Sequence, residues 1–177
     1  MGFFEYGKKE IEYLRSRDAS LGKAMEKIGM IRREINPDAF SMLINSIVGQ
    51  QISGKAAETV WNRLISLCGE ITPGNIEKLG LAEIQSCGMS MRKAGYIMGI
   101  AHAARERTVD FNALAGMADK EIINTLTKLS GVGVWTVEML LIFSLGRPDI
   151  VSFNDFGIRK GMMKLYGLES LSKEAFH

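Results

Sequence analysis

Asp155 is the residue in this chain best placed to do chemistry. It follows Ser152-Phe153-Asn154, precedes Phe156-Gly157-Ile158-Arg159, and falls at the start of a helical pattern. Two readings of it stand. Acids are favoured in a first helical turn by about 0.3–1 kcal/mol through the helix dipole alone. Alternatively, the carboxylate faces a sugar that gains positive charge as its base leaves. At about 4 Å and an effective dielectric of about 20 that attraction is about 4 kcal/mol, roughly a thousandfold in rate. The same carboxylate could orient a water at C1′. Sugar–base cleavage of this kind shares the oxocarbenium-like transition state of glycoside hydrolysis.

A short turn, Gly131-Val132-Gly133, precedes it. Leu126 and Leu129 anchor a helix before the turn, and Val137, Leu140 and Leu141 anchor one after it. Glycines remove the Cβ atoms that would hold a phosphate away and permit unusual backbone angles. Gly133 also exposes unpaired N–H groups at a helix start, where the dipole favours an anion. Val132 would plug the angle between the helices. Such a turn can hold a phosphate with no basic side chain. The same residues would equally suit a plain helix–helix corner that needs glycine for its geometry.

The elements that must position these residues read as helices, and strand signals are nearly absent. Residues 20–34 form an expected first helix with Ser20 as cap and Leu21, Met25, Ile28 and Ile31 on one stripe. Pro37 marks the next start, followed by Phe40, Leu43, Ile44, Ile47 and Val48 at helical spacing. That helix stops at Gly49-Gln50-Gln51, and Ser53 caps another. Thr72-Pro73 opens a short helix, Leu81–Ser86 forms the next, and Ser90 caps a long one through Arg105. Asp110–Leu114 is a brief helical turn. Asp119–Leu129 and Gly133–Leu145 flank the glycine turn, and Asn154 is the expected cap of a helix ending at Tyr166-Gly167. The fold class is all-α.

The totals set bounds. The chain has 177 residues, 46% hydrophobic and 24% charged, enough for one globular unit or two small lobes. A net charge of +2 neither requires a nucleic-acid partner nor excludes a local basic face. Cys68 and Cys87 fit no metal spacing and no disulfide framework, which points to a reduced, cytoplasmic setting. No apolar run reaches about 18 residues, so no membrane partner is expected. His102 and His177 lie outside every motif.

Four stretches in order carry a family resemblance: Ser-Ile-Val-Gly-Gln-Gln-Ile-Ser-Gly-Lys-Ala-Ala at 46–57, Cys-Gly-Met-Ser-Met-Arg-Lys-Ala at 87–94, Leu-Ser-Gly-Val-Gly-Val-Trp-Thr at 129–136 and Asn-Asp-Phe-Gly-Ile-Arg at 154–159. The chain resembles the helix-hairpin-helix (HhH-GPD) DNA glycosylases, in particular their 3-methyladenine DNA glycosylase II branch. That resemblance implies a two-lobed helical fold with a DNA cleft between the lobes. Residues 1–35 would belong to the first lobe, whose C-terminal part is expected to be missing. Residues 36–145 would form a helical domain with the hairpin at about 119–145. Residues 146–177 would carry the catalytic helix and return to the first lobe.

The resemblance also implies roles. Asp155 matches the catalytic aspartate; Asn154 stands where this branch often has a second one. Trp135 occupies the position of the attacking lysine of bifunctional members, so a monofunctional hydrolase of alkylated purines with no lyase step is implied. Its indole would line the base pocket and favour a cationic base by about 2 kcal/mol when desolvated. Gln50 or Gln51 would wedge into the duplex as the damaged nucleotide is flipped out. Gly131, Gly133 and Ser53 would contact the DNA backbone. Ser90, Arg92 and Lys93 are either a second backbone contact or a solvated face. The carbonyls of Thr127, Leu129 and Val132 could hold a sodium or potassium ion; no cofactor is required and no iron–sulfur cluster is expected. The partner would be double-stranded DNA with a damaged base, met by a monomer. The alternatives are a glycosylase for another lesion and a non-catalytic helix-hairpin-helix DNA-binding module.

Overall fold

The structure, a computed structural model, describes residues 2–177. In chain order the elements are β1 (Gly2–Phe3), α1 (Lys8–Arg17), α2 (Ala19–Ile28), β2 (Glu34–Ile35), α3 (Ala39–Gly49), α4 (Gly54–Cys68), α5 (Pro73–Glu77), α6 (Leu81–Ser86) and α7 (Met91–Arg105). A 3-10 turn at Leu114–Gly116 leads to α8 (Asp119–Leu126), α9 (Val134–Phe143), α10 (Phe156–Tyr166) and α11 (Lys173–Phe176). The strands form one small antiparallel pair, with Gly2 opposite Ile35 and Phe3 opposite Glu34.

The core is built around α3. Its Phe40, Leu43, Ile44, Ile47 and Val48 are all buried, because apolar residues recur at the three- and four-residue spacing of one helical face. Helices α4, α7 and α9 pack on it, and α5 and α6 pack on α7. Leu64, Ile97, Ile100, Leu140 and Leu141 close the core, each side chain contributing about 1.5–3 kcal/mol by burial. Val132 is buried in the corner between α8 and α9 and plugs it as its position implies.

A second group of elements is more open. Helices α1 and α2 pair with each other, and α10 lies against α2. The two helices come close at Gly22, where a Cβ would sit 3.3 Å from the Arg15 Cγ and 3.4 Å from its Cα. An Arg15–Glu26 ion pair spans the two helices. At the far end of α10, the Tyr166 hydroxyl donates to the Asp18 carboxylate at 2.5 Å. Phe153 meets Phe176 edge-on at 5.3 Å, and the Arg159 guanidinium lies 4.8 Å over Phe153.

Several helix expectations need correction, among them the helix expected over 119–129, which ends at Leu126. The single helix over 20–34 is instead α2, capped by Asp18, whose carboxylate accepts from the Leu21 N–H at 2.8 Å. Asp18 is the cap because its backbone is extended, φ −143° and ψ 108°, whereas Ser20 already lies inside the helix. Helix α1 precedes it with no buried residue, so no apolar stripe announces it. The cap of α10 is Asp155 itself and not Asn154. Among the described residues no helix is long and apolar enough to cross a membrane.

Candidate active site

A cleft of about 790 Å³ opens between α3, α9 and the loop that leads into α10. Met42, Met139, Ile142, Phe143 and Ile150 give it mainly apolar walls. Asp155, Trp135, Gln50 and Gln51 all line it, although they come from three separate stretches of sequence. Asp155 is its one carboxylate and Arg33 its one cationic side chain among the described residues.

Both oxygens of Asp155 are held. Oδ1 accepts from the Ile158 N–H at 2.9 Å, which caps α10. Oδ2 accepts from the Trp135 indole N–H at 3.0 Å. The Ile158 amide, with the Trp135 indole and the Gly157 amide behind it, holds the carboxyl below its usual range, against partial burial. Asp155 is therefore ionised at neutral pH and fixed in direction. A carboxylate of lowered basicity is better suited to stabilise a positive charge than to remove a proton. The Trp135 indole is 41% exposed, so its ring still faces the cleft while its N–H orients the acid.

The loop bearing Asp155 is fastened from below. Buried Ser152 donates from its hydroxyl to the Glu138 carboxylate on α9, one turn beyond Trp135. The Asp155 N–H donates to the Ser152 carbonyl at 3.2 Å. Neither Glu138 nor Ser152 carries a signal in the sequence, since the contact joins residues that meet only in the fold.

The Gly131–Gly133 turn joins α8 to α9. Gly131 has φ +83°, and a Cβ there would fall 2.2 Å from the Tyr96 ring of α7. Glycine is thus required both by backbone angle and by the close approach of a side chain. Gly133 has φ −96° with open space around its missing Cβ, and it caps α9 without a side chain. The amides of Gly133, Val134 and Trp135 donate to no acceptor among the described residues, which leaves an anion-ready helix start. The Thr127 and Val132 carbonyls accept no hydrogen bond from the described residues. That of Leu129 accepts from the Val132 N–H at 3.1 Å. Neutral oxygen acceptors of this kind fit a hard monovalent cation.

The α3–α4 turn separates the two glutamines. The Gln50 side chain is directed inward and donates to the Gly131 carbonyl at 2.9 Å. Gln51 is exposed and adopts φ +58°, a strained angle for a residue with a Cβ. Ser53 and Ser90 both cap helices, their hydroxyls accepting from the Ala56 and Lys93 N–H groups at 3.3 Å. Arg92 is exposed, with no ion pair among the described residues. Lys93 departs from its neighbours: its ammonium turns inward to the carbonyls of Val48 at 2.9 Å and Gln50 at 2.5 Å. His102 lies on the surface against Glu77, away from the cleft.

The family described as HhH-GPD superfamily base excision DNA repair protein matches residues 44–176. The chain is 34% identical to DNA-3-methyladenine glycosylase 1 of Schizosaccharomyces pombe over 78% of its own length, and spans 63% of that relative. It is 36% identical to DNA-3-methyladenine glycosylase of Saccharomyces cerevisiae over 72% of its length, and spans 46% of that protein. The fold superposes with a TM-score of 0.84 on an S. pombe 3-methyladenine DNA glycosylase in complex with abasic DNA. That pair shares 30% identity and covers 96% of this chain and 85% of that one.

Proposed function

The chain belongs to the HhH-GPD superfamily of base excision DNA repair proteins, and from that premise we propose that it is a monofunctional DNA glycosylase for alkylated purines. The observation that carries this reading is the Asp155 carboxylate, fixed by Trp135 and Ile158 in an apolar cleft large enough for a flipped base. A methylated purine such as 3-methyladenine is cationic and already a good leaving group. Its departure needs stabilisation of the sugar cation more than a general acid. Asp155 supplies that charge about where C1′ would sit; once the C1′–N bond breaks and the base leaves as the neutral purine, a water oriented by the same carboxylate bonds to C1′ and its proton passes to solvent. The position of Trp135 offers no amine, so no Schiff base forms and the strand stays intact.

The DNA-binding roles follow from the same geometry. The free amides at Gly133 and Val134 are suited to a phosphate, and the Ser53 and Ser90 helix starts offer two more contact points. Thr127, Leu129 and Val132 would hold a sodium or potassium ion that adds positive charge beside that phosphate. Gln51, exposed and strained, is the wedge, because the Gln50 side chain is occupied at the hairpin. Double-stranded DNA with a damaged base is the proposed partner, met by a monomer.

The test is release of free base from methylated duplex DNA. Wild type is expected to release 3-methyladenine and leave strands uncut. Asp155→Asn is expected to lose at least about a hundredfold in rate, within the roughly thousandfold that the charge supplies. It should still bind abasic duplex. Asparagine caps a helix about as well as aspartate, so unfolding would not explain the loss. Full activity in that variant would overturn the assignment of Asp155. Arg33 favours a second reading, excision of a neutral damaged purine, because a guanidinium in the cleft wall repels a cationic base and donates to a carbonyl edge. Faster release of hypoxanthine than of 3-methyladenine would select it.

A further inference from the structure

The 87–94 motif offers Lys93 as a contact to the DNA backbone, and the geometry points elsewhere. Helix α3 ends in carbonyls that have no partner inside the helix. The Lys93 ammonium binds two of them, on Val48 and Gln50, across 45 and 43 residues of sequence. The Gln50 side chain meanwhile reaches the Gly131 carbonyl, 81 residues away. The turn that carries Gln51 is therefore fastened on both sides, to α7 by an ammonium and to the hairpin by an amide. A strained residue such as Gln51 keeps its conformation only where its surroundings over-determine it.

We propose that Lys93 is a positioning residue that holds the α3–α4 turn rigid, so that Gln51 can stay in the duplex while a nucleotide is extruded. The proposal rests on the glycosylase reading only for the base that is extruded; the tie itself is internal to the protein. Partial burial lowers the pKa of the Lys93 amine, as suits an ammonium spent on protein carbonyls and not one lying open to phosphate. A lysine bound to the end of α3 gives up no counterion when DNA arrives, whereas a phosphate ligand does.

The experiment compares the full chain with Lys93→Met, Lys93→Arg, Arg92→Met and Gln51→Ala. Binding to abasic duplex is measured over a range of salt, and extrusion by the fluorescence of 2-aminopurine in matched and mismatched duplexes. Lys93→Met is expected to leave the slope of log K against log salt unchanged, whereas loss of a phosphate contact lowers it by about one. Arg92→Met, at an exposed guanidinium with no ion pair among the described residues, is run beside it as the neighbouring charge on the same helix start. Lys93→Met should reduce extrusion about tenfold in matched duplex and far less at a mismatch, where unpairing is already cheap. Gln51→Ala should show the same asymmetry, the double variant should be no worse than either, and Lys93→Arg should recover part of the loss. A slope reduced by one, with equal losses on both duplexes, would make Lys93 a phosphate ligand and overturn the proposal. An unchanged slope with equal losses and a lowered melting temperature would make it merely structural and overturn it too. A wild type that extrudes but releases no base overturns the glycosylase reading alone; one that binds no duplex overturns both.

Discussion

At the scale of single residues, Asp155 does two jobs with its two oxygens. One oxygen closes the first turn of α10 and the other takes the Trp135 indole N–H. Both donors favour the ionised form, so the folded pKa lies below the unfolded one. The stabilisation from that shift is complete above the ordinary carboxylate range and is lost as pH falls through the lowered value. Activity should follow the same sign. Replacing Trp135 by Phe removes one donor, so the acid limb of kcat/KM should move to higher pH, while Ile158 keeps the helix capped. A limb that stayed in place would show that the indole has no electrostatic hold on the acid. The choice between Asn154 and Asp155 as cap was not legible beforehand, because both side chains accept from N–H groups and only the backbone angle decides.

At the scale of elements, the two glycines of the hairpin have separable purposes. Gly131→Ala would force a Cβ into the Tyr96 ring and into φ +83°, at a cost of about 2 kcal/mol or more in stability. Gly133→Ala meets open space at φ −96° and should cost within about 1 kcal/mol, chiefly as a poorer cap. Its methyl would nevertheless stand before the free amides, so duplex affinity should fall about tenfold with the melting temperature nearly kept. Denaturation and duplex-binding curves on the two variants would check this, and equal behaviour would refute it. Much at this scale was legible. Ser53, Thr72-Pro73 and Ser90 announced their helices through capping chemistry, and the α3 stripe announced the core. Helix α1 was not legible, since its support comes from α2 across space. The need for Gly131 showed in the motif, but its cause is Tyr96, which sequence spacing does not place nearby.

At the scale of the whole molecule, the net charge of +2 bears on the proposed DNA binding. The 22 lysines and arginines are nearly balanced by 20 acids, and the hairpin offers neutral amides. The slope of log K against log salt should therefore be shallow, about −2 to −4 in place of values near −10 for heavily basic binders. A steep slope would mean that the lysines and arginines dominate the contact. Three of the four family motifs, on α3, α9 and the start of α10, meet at one cleft, and the 87–94 motif reaches it only through the Lys93 tie to the end of α3. The inward turn of Lys93 was not legible, because a lysine in a motif looks the same in sequence whichever way it points.

One tie described above bears on how the molecule comes into being. Tyr166, at the far end of the helix that Asp155 starts, is bound to Asp18, 148 residues earlier in the chain. Arg33, Gln50, Trp135 and Asp155 must likewise meet from distant points before the cleft exists. During synthesis the α3–α7 body can pack while the rest is still being made, since its contacts are closer in sequence. The cleft is completed only after Asp155 has left the ribosome and α10 has packed on α2. A nascent chain is thus helical well before Asp155 joins the cleft.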